Sequence, residues 1–393
     1  MGKENSPTPP EAPPILAVQH QTVVEETGLP APSDANHLRL IDSYRAILQE
    51  GALRYPVAYH FIQELGKGRQ GVVFLAVRQG ARGCRTRHAV KIFDPSIYSS
   101  AERYWTDMGR IASQVSRLQP THHENLIACD IYDECNGVGF IQMNAVDGID
   151  LQYFLSSTHL AITRSQCSDD EWRHFMSVLF RLQGKQMLFT PGIAVHILRE
   201  VLSGLEQLHD AGFLHGDIKP SNIMVDRNGG VRSVDFGRAT LIGERISIQL
   251  GSPLYMAPEI HRLESGLPQS DMYSLGLVAV EMLGGRIPLN PALSQDADLL
   301  AAKMQLPDKL DTWLPPYVVE NDLLMGILKK MLLPDPRQRY RSAQEASGSS
   351  RGLRGVQRQL AKMDIDAEYD AEIERYMKKL LDPATGHINP RMD

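Results

Sequence analysis

Apolar residues recur along this chain at two different spacings, and each change of spacing marks an element. Residues 1–35, rich in Pro, Glu, Thr and Ser, carry too little apolar surface to offset the cost of ordering and are expected to form a disordered tail. Leu38, Leu40, Ile41, Tyr44, Ile47 and Leu48 then fall at helical spacing and stop at Gly51, which predicts a short helix in an extension over 36–56. From Tyr59 to Val77 apolar and polar residues alternate, the period of paired strands, and His88-Ala89-Val90-Lys91-Ile92-Phe93 reads as a further strand. Ser99-Ser100-Ala101-Glu102 has the form of a capping box, after which Met108, Ile111, Val115 and Leu118 mark the buried face of a helix that ends before Pro120. Residues 139–151 run from a strand through a Gly-containing turn into a helix start.

The remainder is mainly helical. Ser168-Asp169-Asp170-Glu171, a second capping box, precedes Trp172, Phe175, Met176, Val178, Leu179 and Phe180 and predicts an amphipathic helix. Residues 193–209 follow as a long core helix, and Asp271-Met272-Tyr273-Ser274-Leu275-Gly276 opens an apolar one. Ser347-Gly348-Ser349-Ser350 has linker composition. Beyond it a charged helix over 365–381 places Tyr369, Ile373, Tyr376 and Leu380 along one side, a face that can pack back, bind a partner or stay loose.

Composition narrows the class without naming a function. A chain of 393 residues with 42% hydrophobic residues is ample for a large core, and a net charge of −6 spread along the sequence leaves no basic face for nucleic acid. Four cysteines without Cys-x-x-Cys spacing argue against a zinc site or a disulfide framework and for a reducing compartment. The longest apolar run, Leu275-Gly276-Leu277-Val278-Ala279-Val280, is too short to span a bilayer, so a cytoplasmic location is expected.

The candidate chemistry gathers in three stretches. Leu65-Gly66-Lys67-Gly68-Arg69-Gln70-Gly71-Val72-Val73 has G-x-G-x-x-G spacing and continues into a β-rich run, which selects a strand-turn-strand flap whose backbone N–H groups can approach phosphate oxygens. Lys91 stands amid strand-forming residues, and a lysine on a buried strand face needs an anionic partner such as a nucleotide phosphate. Leu214-His215-Gly216-Asp217-Ile218-Lys219-Pro220-Ser221-Asn222, followed by Asp235-Phe236-Gly237, combines a carboxylate able to accept a proton, a lysine able to neutralise a moving phosphoryl group, and hard oxygen ligands for magnesium.

In this order the motifs resemble those of the eukaryotic-type Ser/Thr protein kinase family. The resemblance implies an α+β, two-lobed kinase domain over 57–346: an antiparallel β-sheet lobe with one helix at 57–143, a hinge at 144–148, and a larger, mainly helical lobe at 149–346. An insertion at about 159–190 and the segment 347–393, a linker plus C-terminal helix, lie outside its pattern and are candidates for docking a partner. It further implies that Asp217 is the catalytic base, Lys219 the charge stabiliser, and Asn222 and Asp235 the magnesium ligands. Lys91 would hold ATP phosphates beneath Leu65, Gly66, Lys67, Gly68 and Gly71, with Val73 and Ala89 above the adenine and Met224 also binding the nucleotide. Met143 would gate the back of the site, the backbone of Asn144 and Val146 would bond the adenine edge, and Asp150 would accept from the ribose unless it merely caps a helix. Asp271 is expected to brace the catalytic-loop backbone, and Arg339 to pair with Glu259.

The chain departs from the family at three points. Where the family's helix carries the glutamate that pairs with the strand lysine, the count lands on Ile111, which leaves either Asp107 or no helix residue as the partner of Lys91. Gly216 replaces the arginine that receives an activation-loop phosphate, and Ile248 occupies the usual phosphosite, so the loop is expected to need no phosphorylation. An active kinase for protein Ser/Thr hydroxyls is the reading that the intact polar residues favour; the alternative is a pseudokinase serving as a nucleotide- or protein-binding scaffold.

Overall fold

The computed structural model describes residues 34–54, 58–184, 186–244, 253–289, 296–363, 367–382 and 387–388. Residues 1–33 of the segment expected to be disordered and the position Ile248 lie outside them, while Asp34 and Ala35 cap and open the first helix.

The amino-terminal lobe is a six-stranded antiparallel sheet with two helices. Helix α1 (Ala35–Glu50) is capped by Asp34 at its start and by Gly51, at φ 61°, at its end. Strands β1 (Ala52–Arg54), β2 (Ala58–Gly68), β3 (Gly71–Gln79), β4 (Arg85–Phe93), β5 (Cys129–Cys135) and β6 (Val138–Asn144) pair in the order β1-β2-β3-β4-β6-β5. Helix α2 (Ala101–Leu118) lays Tyr104, Met108, Ile111, Val115 and Leu118 against this sheet. Its cap is Ser100, whose side chain accepts from Arg103 N, so the helix starts one residue later than the capping-box reading of Ser99 and Glu102 implies.

The carboxy-terminal lobe begins with β7 (Gly148–Asp150) and α3 (Leu151–Leu155). The insertion follows as α4 (Thr158–Ser165), α5 (Asp169–Val178) and a hairpin of β8 (Phe180–Gln183) and β9 (Gln186–Phe189). The capping box at Ser168 and Glu171 forms in both directions, at 3.2 and 3.0 Å. The core helix α6 (Pro191–Asp210) leads through β10 (Phe213–Leu214) to β11 (Ile223–Asp226), β12 (Val231–Ser233) and β13 (Thr240–Leu241). Helices α7 (Pro258–His261), α8 (Pro268–Gly284), α9 (Asp296–Met304), α10 (Leu306–Trp313), α11 (Pro316–Val319), α12 (Asp322–Met331) and α13 (Ala343–Gly348) complete the lobe. Apolar on all sides, α8 runs through the core with Met272, Tyr273, Leu275, Leu277, Val278 and Val280 fully buried. No helix among the described residues is long and apolar enough to cross a membrane.

The end of the chain packs back onto the lobe. Ser347 and Gly348 close α13 instead of starting a linker, and the sequence reading passed over α14 (Leu353–Lys362), whose Leu353, Val356 and Leu360 at helical spacing could have revealed it. Helix α15 (Tyr369–Met377) buries Tyr369, Ile373 and Tyr376 against α4, α5 and α6. His159 Nε2 lies 2.9 Å from Phe154 O, which makes it the N–H donor and leaves Nδ1 to accept from Tyr376 Oη at 2.5 Å. At the surface of this seam His174 and Lys379 pair with Glu372 and Glu171. Gly192 and Gly229 are shaped by it, since a Cβ there would stand 1.6 Å from Tyr369 Oη and 2.2 Å from Asp370 O. The two apolar faces that the sequence offered for docking a partner thus cover one another.

Candidate active site

Two local geometries set the roof of the cleft between the lobes. Gly68 and Gly71 close the β2–β3 hairpin around Arg69 and Gln70, and Gly71, at φ 145°, lies so near β4 that a Cβ would fall 1.8 Å from Ile92 O. On β4, Lys91 pairs across the ladder with Val73 and Ile141 and is only 4% exposed. The floor is the loop after β10. Asp271, at the start of α8, accepts from the backbone N–H groups of His215 and Gly216, both at 2.9 Å, and from His209 at 2.9 Å. Burial pushes its pKa up, but the two histidines and the Gly216 N–H more than offset that and hold it below the ordinary value. Arg339 forms its bidentate pair with Glu259 at 2.7 and 2.8 Å, fully buried.

Between roof and floor lies a cleft of about 700 Å³. Leu65, Gly66, Lys67, Gly68, Gly71, Val73, Ala89 and Lys91 line it from above, Met143, Asn144, Val146 and Asp150 along the hinge side, and Asp217, Lys219, Asn222, Met224 and Asp235 from below. The structure therefore brings every sequence-derived site residue to one cavity. Asp150 has a second engagement, since its Oδ1 caps α3 by accepting from Tyr153 N at 2.8 Å. Asn144 donates its backbone N–H to Ala128 O at 3.3 Å.

At the centre the carboxylates are held by cations. Lys91 Nζ lies 2.5 Å from Asp235 Oδ1 and donates to Gln70 Oε1 at 3.2 Å. Burial raises the Asp235 pKa, but the charge and hydrogen bond of Lys91 outweigh it and hold the group at about 2. Its backbone sits at φ 65°, a region costly for a residue with a Cβ and one met at functional sites. Asp217 is flanked by Lys219 Nζ, 2.9 Å from Oδ2, and by Arg238 Nη1, 3.5 Å from Oδ1. Asn222 Nδ2 donates to Asp217 O at 2.8 Å and to Oδ2 at 3.0 Å, which orients its amide and leaves Oδ1 as the ligand atom. Asn222 Oδ1 and the Asp235 carboxylate are hard oxygen donors of the kind magnesium takes in ones and twos beside substrate phosphates, so the residues present fit that ion.

Of the two alternatives for the partner of Lys91, the geometry excludes Asp107. Asp107 does not reach Lys91: its Oδ1 accepts from Arg110 Nε at 2.8 Å and its Oδ2 from Tyr98 Oη at 2.5 Å. Ile111 shares with Lys91, Asp235 and Phe236 the lining of a small closed space behind the lysine, so the family's glutamate position is apolar here and Asp235 supplies the countercharge. Two residues that sequence reasoning passed over also belong to the site. Arg238 is turned onto Asp217 as the segment after Phe236 doubles back to pair β13 with β10. Its backbone carbonyl explains Gly216: that residue has φ 73°, and a Cβ would stand 2.9 Å from Arg238 O. Gln70, at the flap's tip, is 5% exposed and turned inward.

The model of the family described as "Protein kinase domain" matches residues 59–349. The chain belongs to the protein kinase family. Among curated relatives, the probable serine/threonine-protein kinase PknB of Lactococcus lactis is 24% identical over 317 residues, 78% of this chain and 44% of that protein. Mitogen-activated protein kinase kinase kinase 1 of Arabidopsis thaliana is 29% identical over 287 residues, 72% and 40% of the respective chains. The serine/threonine-protein kinase PrkC of Bacillus subtilis is 33% identical over 161 residues, 39% of this chain and 24% of that one. This kinase chain thus spans less than half the length of these relatives.

Proposed function

We propose that the protein transfers the γ-phosphoryl group of ATP to Ser or Thr hydroxyls of protein substrates, in a reducing, cytoplasmic setting in keeping with its four free cysteines. The observation that carries this reading is the convergence of Asp217, Lys219, Asn222, Asp235 and Lys91 on one cleft beneath a glycine flap. The acceptor hydroxyl gives its proton to Asp217 as its oxygen bonds to phosphorus and the bond from phosphorus to the ADP oxygen breaks. Lys219 and Arg238, both within reach of Asp217, keep positive charge beside the moving phosphoryl group. Asn222 and Asp235 would hold magnesium, which would supply neutralisation of phosphate charge.

Activity without activation-loop phosphorylation belongs to the same proposal. Its support is Gly216, where the left-handed backbone excludes the phosphate-receiving arginine, and Arg238, whose guanidinium is engaged with Asp217. Ser247 and Ile248 lie outside the described residues. The test is radiolabelled ATP with magnesium and a basic protein acceptor, on phosphatase-treated protein, with Asp217→Asn as control. Transfer that survives phosphatase and is lost in the variant supports both statements; activity abolished by phosphatase overturns the second. One observation favours a scaffold reading: α2 offers Ile111 where Lys91 would find its glutamate. Nucleotide binding without any transfer would select it.

A further inference from the structure

We propose that Gln70 is a phosphate-recognition residue, its side-chain amide donating to a phosphate oxygen of the bound nucleotide; this rests on the reading of the cleft as an ATP site. Gln70 lies in the two-residue turn between Gly68 and Gly71. Its carbonyl accepts from Asp94 N at 2.9 Å, fixing the turn against the end of β4. The side chain, 5% exposed, folds under the flap instead of extending into solvent, and it lines the cleft.

Its orientation follows from its neighbour. A lysine ammonium has donors only, so the Gln70 atom 3.2 Å from Lys91 Nζ has to be the oxygen. The nitrogen is then the free end, and Nε2 has no hydrogen-bond partner among the described residues although it is buried. The same packing recurs around Gly237, where a Cβ would meet Lys91 Nζ at 3.0 Å, Gln70 Oε1 at 3.1 Å and Asp235 Oδ1 at 3.2 Å. A buried donor without an acceptor is costly, and the cost is relieved by whatever ligand brings one. The ligand must offer an acceptor, and Lys91, 3.2 Å from the other end of the amide, favours one that carries negative charge. A phosphate oxygen meets both conditions, whereas a metal ion would be repelled by the N–H bonds. Gln70 and Lys91 then act as a pair, the lysine giving charge and the amide a directed hydrogen bond.

The experiment titrates the full chain with ATP and with adenosine, for wild type, Gln70→Leu and Gln70→Asn. In Gln70→Leu the ATP dissociation constant should rise about tenfold, the loss of one hydrogen bond to a charged acceptor, with adenosine affinity unchanged. Gln70→Asn, which keeps an amide one carbon short, should fall between. Equal losses for ATP and adenosine would make Gln70 a strut of the flap and overturn the assignment. Unchanged ATP affinity would overturn it too. Wild type that binds ATP no better than adenosine would remove the phosphate-site reading itself, a failure distinct from that of Gln70.

Discussion

Replacing Lys91 by Met and Asp235 by Asn, singly and together, measures whether the two residues are partners before any nucleotide arrives. Asp235 titrates at about 2 against an ordinary value of 3.8, and the difference, 3.8 − 2 = 1.8, corresponds to about 2.4 kcal/mol. Because its side chain is 33% exposed, solvent screening reduces this, and we expect a coupling energy of about 1–2 kcal/mol. Each single variant should be less stable than wild type in chemical denaturation without nucleotide, and the double variant should fall short of the sum by that amount. The sign of the pH dependence follows. A depressed carboxyl pKa gives stability that is full above 3.8 and is lost as the pH falls through 2, so the acid limb of the stability curve should flatten in Lys91→Met. Asp107→Ala combined with Lys91→Met serves as control and should be additive within about 0.5 kcal/mol, since Asp107 is held by Arg110 and Tyr98. An additive Lys91–Asp235 cycle, or a coupled Lys91–Asp107 one, would refute this pairing.

Asp217→Asn should lower the rate of phosphoryl transfer by about a thousandfold or more with unchanged ATP affinity in a binding titration. Arg238→Met should lower kcat by about tenfold and leave KM for ATP unaltered, which steady-state kinetics can separate; a rise in KM alone would put the arginine on the nucleotide instead of on Asp217. Burial lowers the pKa of His159 to about 4, so its neutral form is favoured in the native state, and stability should fall as the pH drops from 6.5 towards 4; thermal melts of His159→Gln should lose that slope.

The sequence was most legible where one spacing did one job. The alternation around the glycines and the apolar period of α2 and α6 read directly as elements, and the polar residues of the catalytic stretch sit on short loops whose positions those elements dictate. The β8–β9 hairpin was hidden because Phe180 looked like the tail of the helical pattern before it, and Phe189 lay beside Pro191, a helix-start signal. Asp107 misled because helical angle alone put it on the face of Ile111; what decides its partner is Arg110, one turn further on the same helix, which no count from Lys91 reveals. Gln70 is an unspecified position of the glycine motif and Arg238 lies just past Asp235-Phe236-Gly237, so no motif fixes either residue type. Their roles come from turns that double back, and turn direction is set by contacts distant in sequence.

The buried seam between α15 and the insertion bears on where this kinase can be cut. The family match stops at residue 349, yet Tyr376, with no exposed surface, fills a hollow walled by Phe154, Phe175 and Phe180 from the matched part. A chain trimmed to the matched boundary would open that hollow to water, with three phenyl rings unshielded and His159 deprived of the hydroxyl that it accepts from. Gly192 would lose the Tyr369 contact that requires a glycine there, whereas Gly229 would keep a reason of its own in its φ of 88°. For this kinase the smallest piece able to stand alone therefore ends beyond α15, and a recombinant fragment designed from the family outline should aggregate while the longer one stays monodisperse.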